Sequence, residues 1–165
     1  MPLIRELTKT WKGSPAGGPF SCSENEIINE NSVDLSLAEK TDVDFSNRIL
    51  DAINSYRNSV DLSPIDLDLS YASALAVNHT LYMIDENRIS HDNFYERSLA
   101  LIQSPEISVV AENVARGYTS AEAVVKAWLS SPSHKKNIEG DYTHLGMGII
   151  QNEEGIYYFT QLFYR

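Results

Sequence analysis

The chain has 165 residues, enough for one domain and a tail, and its 42% hydrophobic content can bury a core without disulfides or a metal to hold it folded. A net charge of −10 excludes association driven by a nucleic-acid phosphate backbone or an anionic membrane face, and no basic stripe offsets that repulsion. A single cysteine, Cys22, excludes an internal disulfide, and no apolar run reaches the roughly 18 residues that a membrane span needs.

Residues 1–22 show no hydrophobic period and no apolar signal-peptide core, and Gly13 to Pro19 is a Gly/Pro/Ser stretch. They read as a leader or a remnant that is not native to the protein. Residues 23–41 carry five acids against one lysine and few large apolar groups. Burial there cannot offset the entropy of ordering, so the segment reads as an acidic, flexible tether. The expected folded domain is 42–165.

From Asp42 the pattern becomes regular. Phe45, Ile49, Ile53 and Tyr56 recur at helical spacing, with Asn58 as the end. Asn54 and Arg57 are expected to tie this helix to neighbouring backbone groups. Pro64 breaks the chain. A second helix is expected from about Asp68 to Glu86, with Leu69, Ala72, Ala76 and Met83 facing inward, its alanines permitting close approach of another layer. A third starts at a capping box in which Thr119 and Glu122 satisfy each other's orphan backbone donors. Its apolar face is Val124, Val125, Trp128 and Leu129, with Trp128 in the core. Ser131 then caps a short helix that has Pro132 at its first position.

The C-terminus changes period. Thr143 to Gln151 and Ile156 to Tyr164 read as strands joined by a hairpin loop, Asn152 to Gly155. Tyr157, Phe159 and Phe163 fall on one face, and Tyr158, Leu162 and Tyr164 on the other. Both faces are apolar, so helices should cover both. The expected fold class is α+β, a three-layer α/β/α sandwich around a small, mainly antiparallel sheet.

The chemistry-bearing residues lie at segment boundaries: Ser90-His91-Asp92, Ala111-Glu112-Asn113 and Ser131-Pro132-Ser133-His134. Two neutral imidazoles and a carboxylate suit a zinc site or an acid/base pair. They share no local ligand spacing, and the chain has no His-Glu-x-x-His, Gly-x-Ser-x-Gly or phosphate-cradling glycine loop. His79, at helical spacing with Ala76 and Met83, reads as a packing histidine, and His144 as exposed.

In order, the segments Ile53 to Arg57, Ser63-Pro64-Ile65, Ala76 to Met83, Ile89-Ser90-His91, Ala111 to Gly117, Trp128 to Ile138, and the hairpin pieces Leu145 to Gly148 and Tyr158 to Phe163 resemble the CAP superfamily. This superfamily groups cysteine-rich secretory proteins, antigen 5 and pathogenesis-related 1 proteins; the likeness is to its short bacterial SCP-like form. The resemblance implies a cleft of two His and two Glu, with zinc on the two His in some members. His91, Glu112 and His134 match three of the four. Ser131 stands where the second Glu usually sits, which removes a negative charge and a proton carrier.

The resemblance therefore implies His91 and His134 as candidate metal ligands, with Zn2+ as the conceivable cofactor and Glu112 orienting an imidazole or a bound water. No catalytic residue is assigned. The favoured reading is an extracellular or bacterial cell-surface, non-enzymatic binding module for an unknown protein, small-molecule or lipid ligand. A zinc-assisted hydrolase such as a protease, and a sterol or lipid carrier, are the alternatives. Cys22 reads as an incidental thiol, a non-native residue or the lipidated first residue of an outer-membrane lipoprotein. The last would be the chain's sole link to a membrane.

Overall fold

The computed structural model describes residues 9–12, 33–103 and 106–165. Cys22 and most of the expected leader and tether lie outside the described residues. Part of the tether does not: Leu35–Lys40 form a 3-10 helix whose first turn is capped by Asp34, which accepts from the Ser36 amide at 3.0 Å. Ala38 is buried there.

Helix α1 (Val43–Ser59) begins where the Asp42 carboxylate accepts from the Phe45 amide at 2.9 Å. Phe45, Ile49 and Ile53 form its buried face as the spacing requires. Both tying residues do what their sequence placement implies. Asn54 exchanges two hydrogen bonds with the Ile65 backbone, each 2.9 Å. Buried Arg57 donates to the carbonyls of Ser63, Ile138 and Gly140 at 2.7, 2.7 and 2.9 Å. Strand β2 (Asp66–Leu67) follows.

Helix α2 (Tyr71–Asp85) starts later than the sequence suggests. The Asp68 carboxylate takes the amides of Ser70 and Ala72, at 2.7 and 3.0 Å, so Leu69 lies ahead of the first turn and is exposed. Helix α3 (Phe94–Ile102) and strand β3 (Val109–Arg116) were not foreseen from sequence. Helix α4 (Ala121–Ser130) is capped by Ser120, which accepts from the Ala123 amide at 3.2 Å; this replaces the expected Thr119 box. Glu122 remains in the first turn, where a carboxylate suits the helix dipole. Helix α5 (Pro132–Ile138) has Ser131 at its cap position, but that side chain makes no cap hydrogen bond.

Strands β4 (His144–Gln151) and β5 (Tyr157–Tyr164) pair antiparallel from His144↔Tyr164 to Gln151↔Tyr157. The sheet runs β1-β3-β5-β4-β2, where β1 is Lys9–Lys12. It is antiparallel except for β2 beside β4. Alternation along β5 sorts the layers. Phe159 and Phe163 pack with Phe45, Ile49, Ile53 and Trp128 from α1 and α4. Leu162 packs with Ala72, Ala76, Phe94 and Leu101 from α2 and α3. This is the three-layer α/β/α arrangement.

Close approach of α2 to β4 rests on two glycines. A Cβ on Gly146 would lie 2.4 Å from the Ala72 carbonyl carbon, and one on Gly148 would lie 2.5 Å from the Ala76 carbonyl carbon. Because the obstacle is helix backbone, α2 itself must move. Gly148→Ala should therefore cost about 1–3 kcal/mol in denaturant titration. A variant as stable as the wild type would show that α2 can slide on the sheet.

Candidate functional site

Glu112 lies mid-strand in β3 on the face toward α2 and α3, between Val110 and Val114, and is fully buried. A lone carboxylate there would be prohibitively desolvated, so its partners define the site. Arg97, from α3, meets it with a two-pronged guanidinium: Nε donates to Oε2 at 2.9 Å, and Nη2 lies 2.8 Å from Oε2 and 3.0 Å from Oε1. His91 Nδ1 donates to Oε1 at 2.7 Å. His79 Nε2 stands 3.9 Å from the same oxygen. Burial would raise the Glu112 carboxyl, but the His91 hydrogen bond and the Arg97 charge outweigh it and hold the group below its ordinary value.

His91 sits on the loop between α2 and α3, and that loop is pinned on both sides of it. The Ser90 carbonyl accepts from His79 Nε2 at 2.7 Å, which fixes the proton of a neutral His79 on that nitrogen. The Asp92 carbonyl accepts from Arg97 Nη1 at 2.7 Å. Asn93 turns the chain into α3 in the left-handed region, at φ 56°. Sequence reasoning passed over Arg97 and set His79 aside as packing. His79 is indeed a buried packing residue, stacked on Tyr82, but it also belongs to the Glu112 cluster. Its burial, only partly opposed by the Glu112 charge, lowers its pKa from 6.5 to about 4.

His134 comes from α5. Its Nδ1 bonds the Ser131 hydroxyl at 2.7 Å, which explains why Ser131 leaves the helix end uncapped. Its Nε2 is buried with no partner among the described residues. Burial, with the nearby His91 charge second, lowers its pKa to about 4. No hydrogen bond joins the His134 ring to Glu112 or His91 among the described residues. The link runs through carboxamides instead. Asn137 donates to the Glu112 carbonyl at 3.1 Å and to Asn113 Oδ1 at 2.9 Å, while Asn113 reaches the His134 carbonyl at 3.4 Å.

His91, Glu112 and His134 are all buried. A crevice of about 900 Å³ lined by Ser108, Pro132, Lys136 and Arg165 contains none of them. A smaller one, about 290 Å³, opens onto His79 and Arg97 from the α2/α3 side. The conceivable zinc ligands reduce to imidazole nitrogens. Both Glu112 oxygens are occupied, His91 Nδ1 is spent on Glu112 and His134 Nδ1 on Ser131, and no group of three His, Cys, Asp or Glu side chains among the described residues is placed to hold a metal ion. That donor set does not fit a three-ligand catalytic zinc. Among the described residues, neither Asp92 nor Glu96 supplies the carboxylate that Ser131 lacks: Asp92 is tied to Arg88 and Tyr82, and Glu96 is exposed.

Comparison with known proteins agrees with the fold. The model of the family described as "CAP: Cysteine-rich secretory protein family" matches residues 50–163. An uncharacterized protein, YkwD of Bacillus subtilis, is 27% identical over 165 residues, covering 90% of this chain and 62% of that protein. The uncharacterized membrane protein YlbC of the same organism is 30% identical over 142 residues, with 84% and 39% covered. The chain thus spans less than two thirds of these relatives. An outer surface protein from Borrelia burgdorferi superposes with a TM-score of 0.65 at 22% identity, covering 74% of this chain and 92% of that one. An extracellular SCP-domain protein from Bacillus anthracis gives 0.60 at 27% identity, covering 72% and 39%.

Proposed function

The chain belongs to the cysteine-rich secretory protein (CAP) family, and we propose that it serves as a non-enzymatic binding module outside the cell or on its surface. One observation carries this reading: the carboxylate that a hydrolase would need as proton acceptor is fully buried and already held in an ion pair. Glu112 accepts two prongs of Arg97 and a proton of His91 while fully buried. A general base must come within hydrogen-bond reach of the proton it abstracts. Glu112 instead acts as the counter-ion that holds α3 and the His91 loop on the sheet. The cellular setting draws support from the outer-surface and extracellular proteins of similar fold. Among the described residues no helix is long and apolar enough to cross a membrane. Attachment through a lipidated Cys22 fits that setting, and an apolar stretch encoded just upstream of Cys22 in the native gene would support it.

Two measurements test the module reading. Incubated with a broad peptide library, the protein should leave it intact; cleavage that disappears in His91→Ala would replace this reading with a hydrolase. Calorimetric titration with zinc should give no saturable heat at micromolar protein. One-site binding lost in the paired His91→Ala and His134→Ala variant would instead establish the two imidazoles as metal ligands.

A further inference from the structure

Arg57 is a cation only 2% exposed, and every partner of its guanidinium is a main-chain carbonyl. Nε donates to Ser63, and Nη1 donates to Ile138 and Gly140. No carboxylate among the described residues pairs with it. The charge of Asp141 acts on it from farther away, and Asp141 is itself paired with Arg165. Carbonyl dipoles solvate a guanidinium without neutralising it, so a buried positive charge remains without a counter-ion.

One nitrogen of that guanidinium is left over. Nη2 makes no hydrogen bond among the described residues, whose sealed polar atoms without a partner are His134 Nε2 and Gln161 Nε2. Nη2 therefore reaches solvent. The opening is a crevice of about 470 Å³ that Arg57 lines with Ser63 and Gly140, two of the residues whose carbonyls hold its other nitrogens. This crevice shares Arg165 and the wall from Glu139 to Tyr142 with the crevice of about 900 Å³.

The joined groove gathers four of the chain's 13 Lys and Arg residues: Arg57, Lys135, Lys136 and Arg165. Its carboxylates are Asp61, Glu139 and Asp141. Two of them are engaged, Glu139 by Lys135 and the Tyr56 hydroxyl, and Asp141 by Arg165. Arg57 and Lys136 then face Asp61 alone, a local positive excess on a chain of net charge −10.

We propose that this groove binds a small molecule through an oxyanion, a carboxylate or phosphate group, that accepts from Arg57 Nη2, with Lys136 adding attraction from the adjoining crevice. A planar guanidinium with free N–H groups suits such an anion. The inference goes beyond the binding-module reading. Neither crevice is lined by His91, Glu112 or Arg97, so its failure leaves that reading untouched.

The test is an NMR titration of the full chain at neutral pH and low ionic strength, with inorganic phosphate and, separately, succinate. The Arg57 Nε–H, held by the Ser63 carbonyl, is the reporter. It should shift and saturate with a dissociation constant of about 1 mM or tighter for at least one probe. Saturation by phosphate alone assigns a phosphate ligand, and saturation by succinate alone a carboxylate. Lys136→Glu, at an exposed position, should weaken binding at least about threefold. Asp61→Asn, which keeps a residue at ease in the left-handed backbone found there, should tighten it about twofold. An Arg57 resonance that neither probe shifts, an equal shift from chloride at matched ionic strength, or an affinity unchanged in either variant would overturn the proposal.

Discussion

Arg97→Met should remove about 3–5 kcal/mol of stability at neutral pH, because it leaves the Glu112 carboxylate buried without its counter-ion. The loss is large because the guanidinium supplies more than charge. It donates to both Glu112 oxygens and also holds the Asp92 carbonyl, so one residue fastens β3, α3 and the His91 loop together. Arg97→Lys keeps the charge but offers no planar fork, and should fall between the wild type and the methionine variant.

The deficit has a defined pH dependence. Without Arg97, only the His91 hydrogen bond and the weaker histidine charges oppose burial at Glu112, so its pKa rises and the folded variant loses less of this group's contribution on acidification than the wild type does. The variant then gains relative stability as pH falls, and its gap from the wild type narrows. Adding Glu112→Gln to Arg97→Met should recover a substantial part of the loss by removing the orphaned charge. Urea titrations of the wild type and the variants at pH 7.5 and 5.5 measure all three effects. A loss under about 1 kcal/mol, or a gap that widens on acidification, would sink this account of Glu112.

Acidification should begin to destabilise the wild type at about pH 6.5, above the range of ordinary carboxylate titration. His79 and His134 are both lowered from 6.5 to about 4, chiefly by burial. Between those values the unfolded chain binds a proton at each site and the folded chain does not. Their contribution is therefore complete above about pH 6.5 and drains away as pH falls toward 4. Each site is worth roughly 3 kcal/mol over that window, comparable to much of a domain's total stability. Glu112, whose folded pKa is lowered, acts with the same sign at lower pH: its contribution is present above the ordinary carboxyl range and is lost as pH falls through its folded value.

The urea midpoint should accordingly drop steadily from pH 6.5 to 4. His79→Gln, whose carboxamide can still donate to Ser90, should reduce that slope by roughly half, at the cost of some stability at neutral pH. A midpoint flat from pH 7 to 4.5 would mean that the two imidazoles titrate as they do in water.

Local pattern was enough to read a large part of this molecule from its sequence. Strand alternation assigned Tyr157, Phe159 and Phe163 to one layer and Tyr158, Leu162 and Tyr164 to the other, and the packing clusters divide them in that way. Helical spacing found the buried face of α1 and placed Trp128 in the core. Asn54 and Arg57 were legible as backbone ties because polar groups on an otherwise apolar helix need partners. The order of segments along the chain also indicated the family.

The rest depended on residues far apart in sequence. Glu112 and Asn113 interrupt the apolar run of β3, so that segment carries no strand signature; only Arg97, His91 and Asn137 arriving from three other segments make burial of the polar pair tolerable. Ser131 fits the composition of a helix cap, yet its hydroxyl turns to the His134 ring that the fold places beside it. Arg97 sits fifteen residues from Glu112 and looks in isolation like any solvated helix charge. Periodicity records which face of an element is buried, because burial of apolar groups needs no particular partner. A buried charge does need one, and that partner exists only once the layers have closed around it.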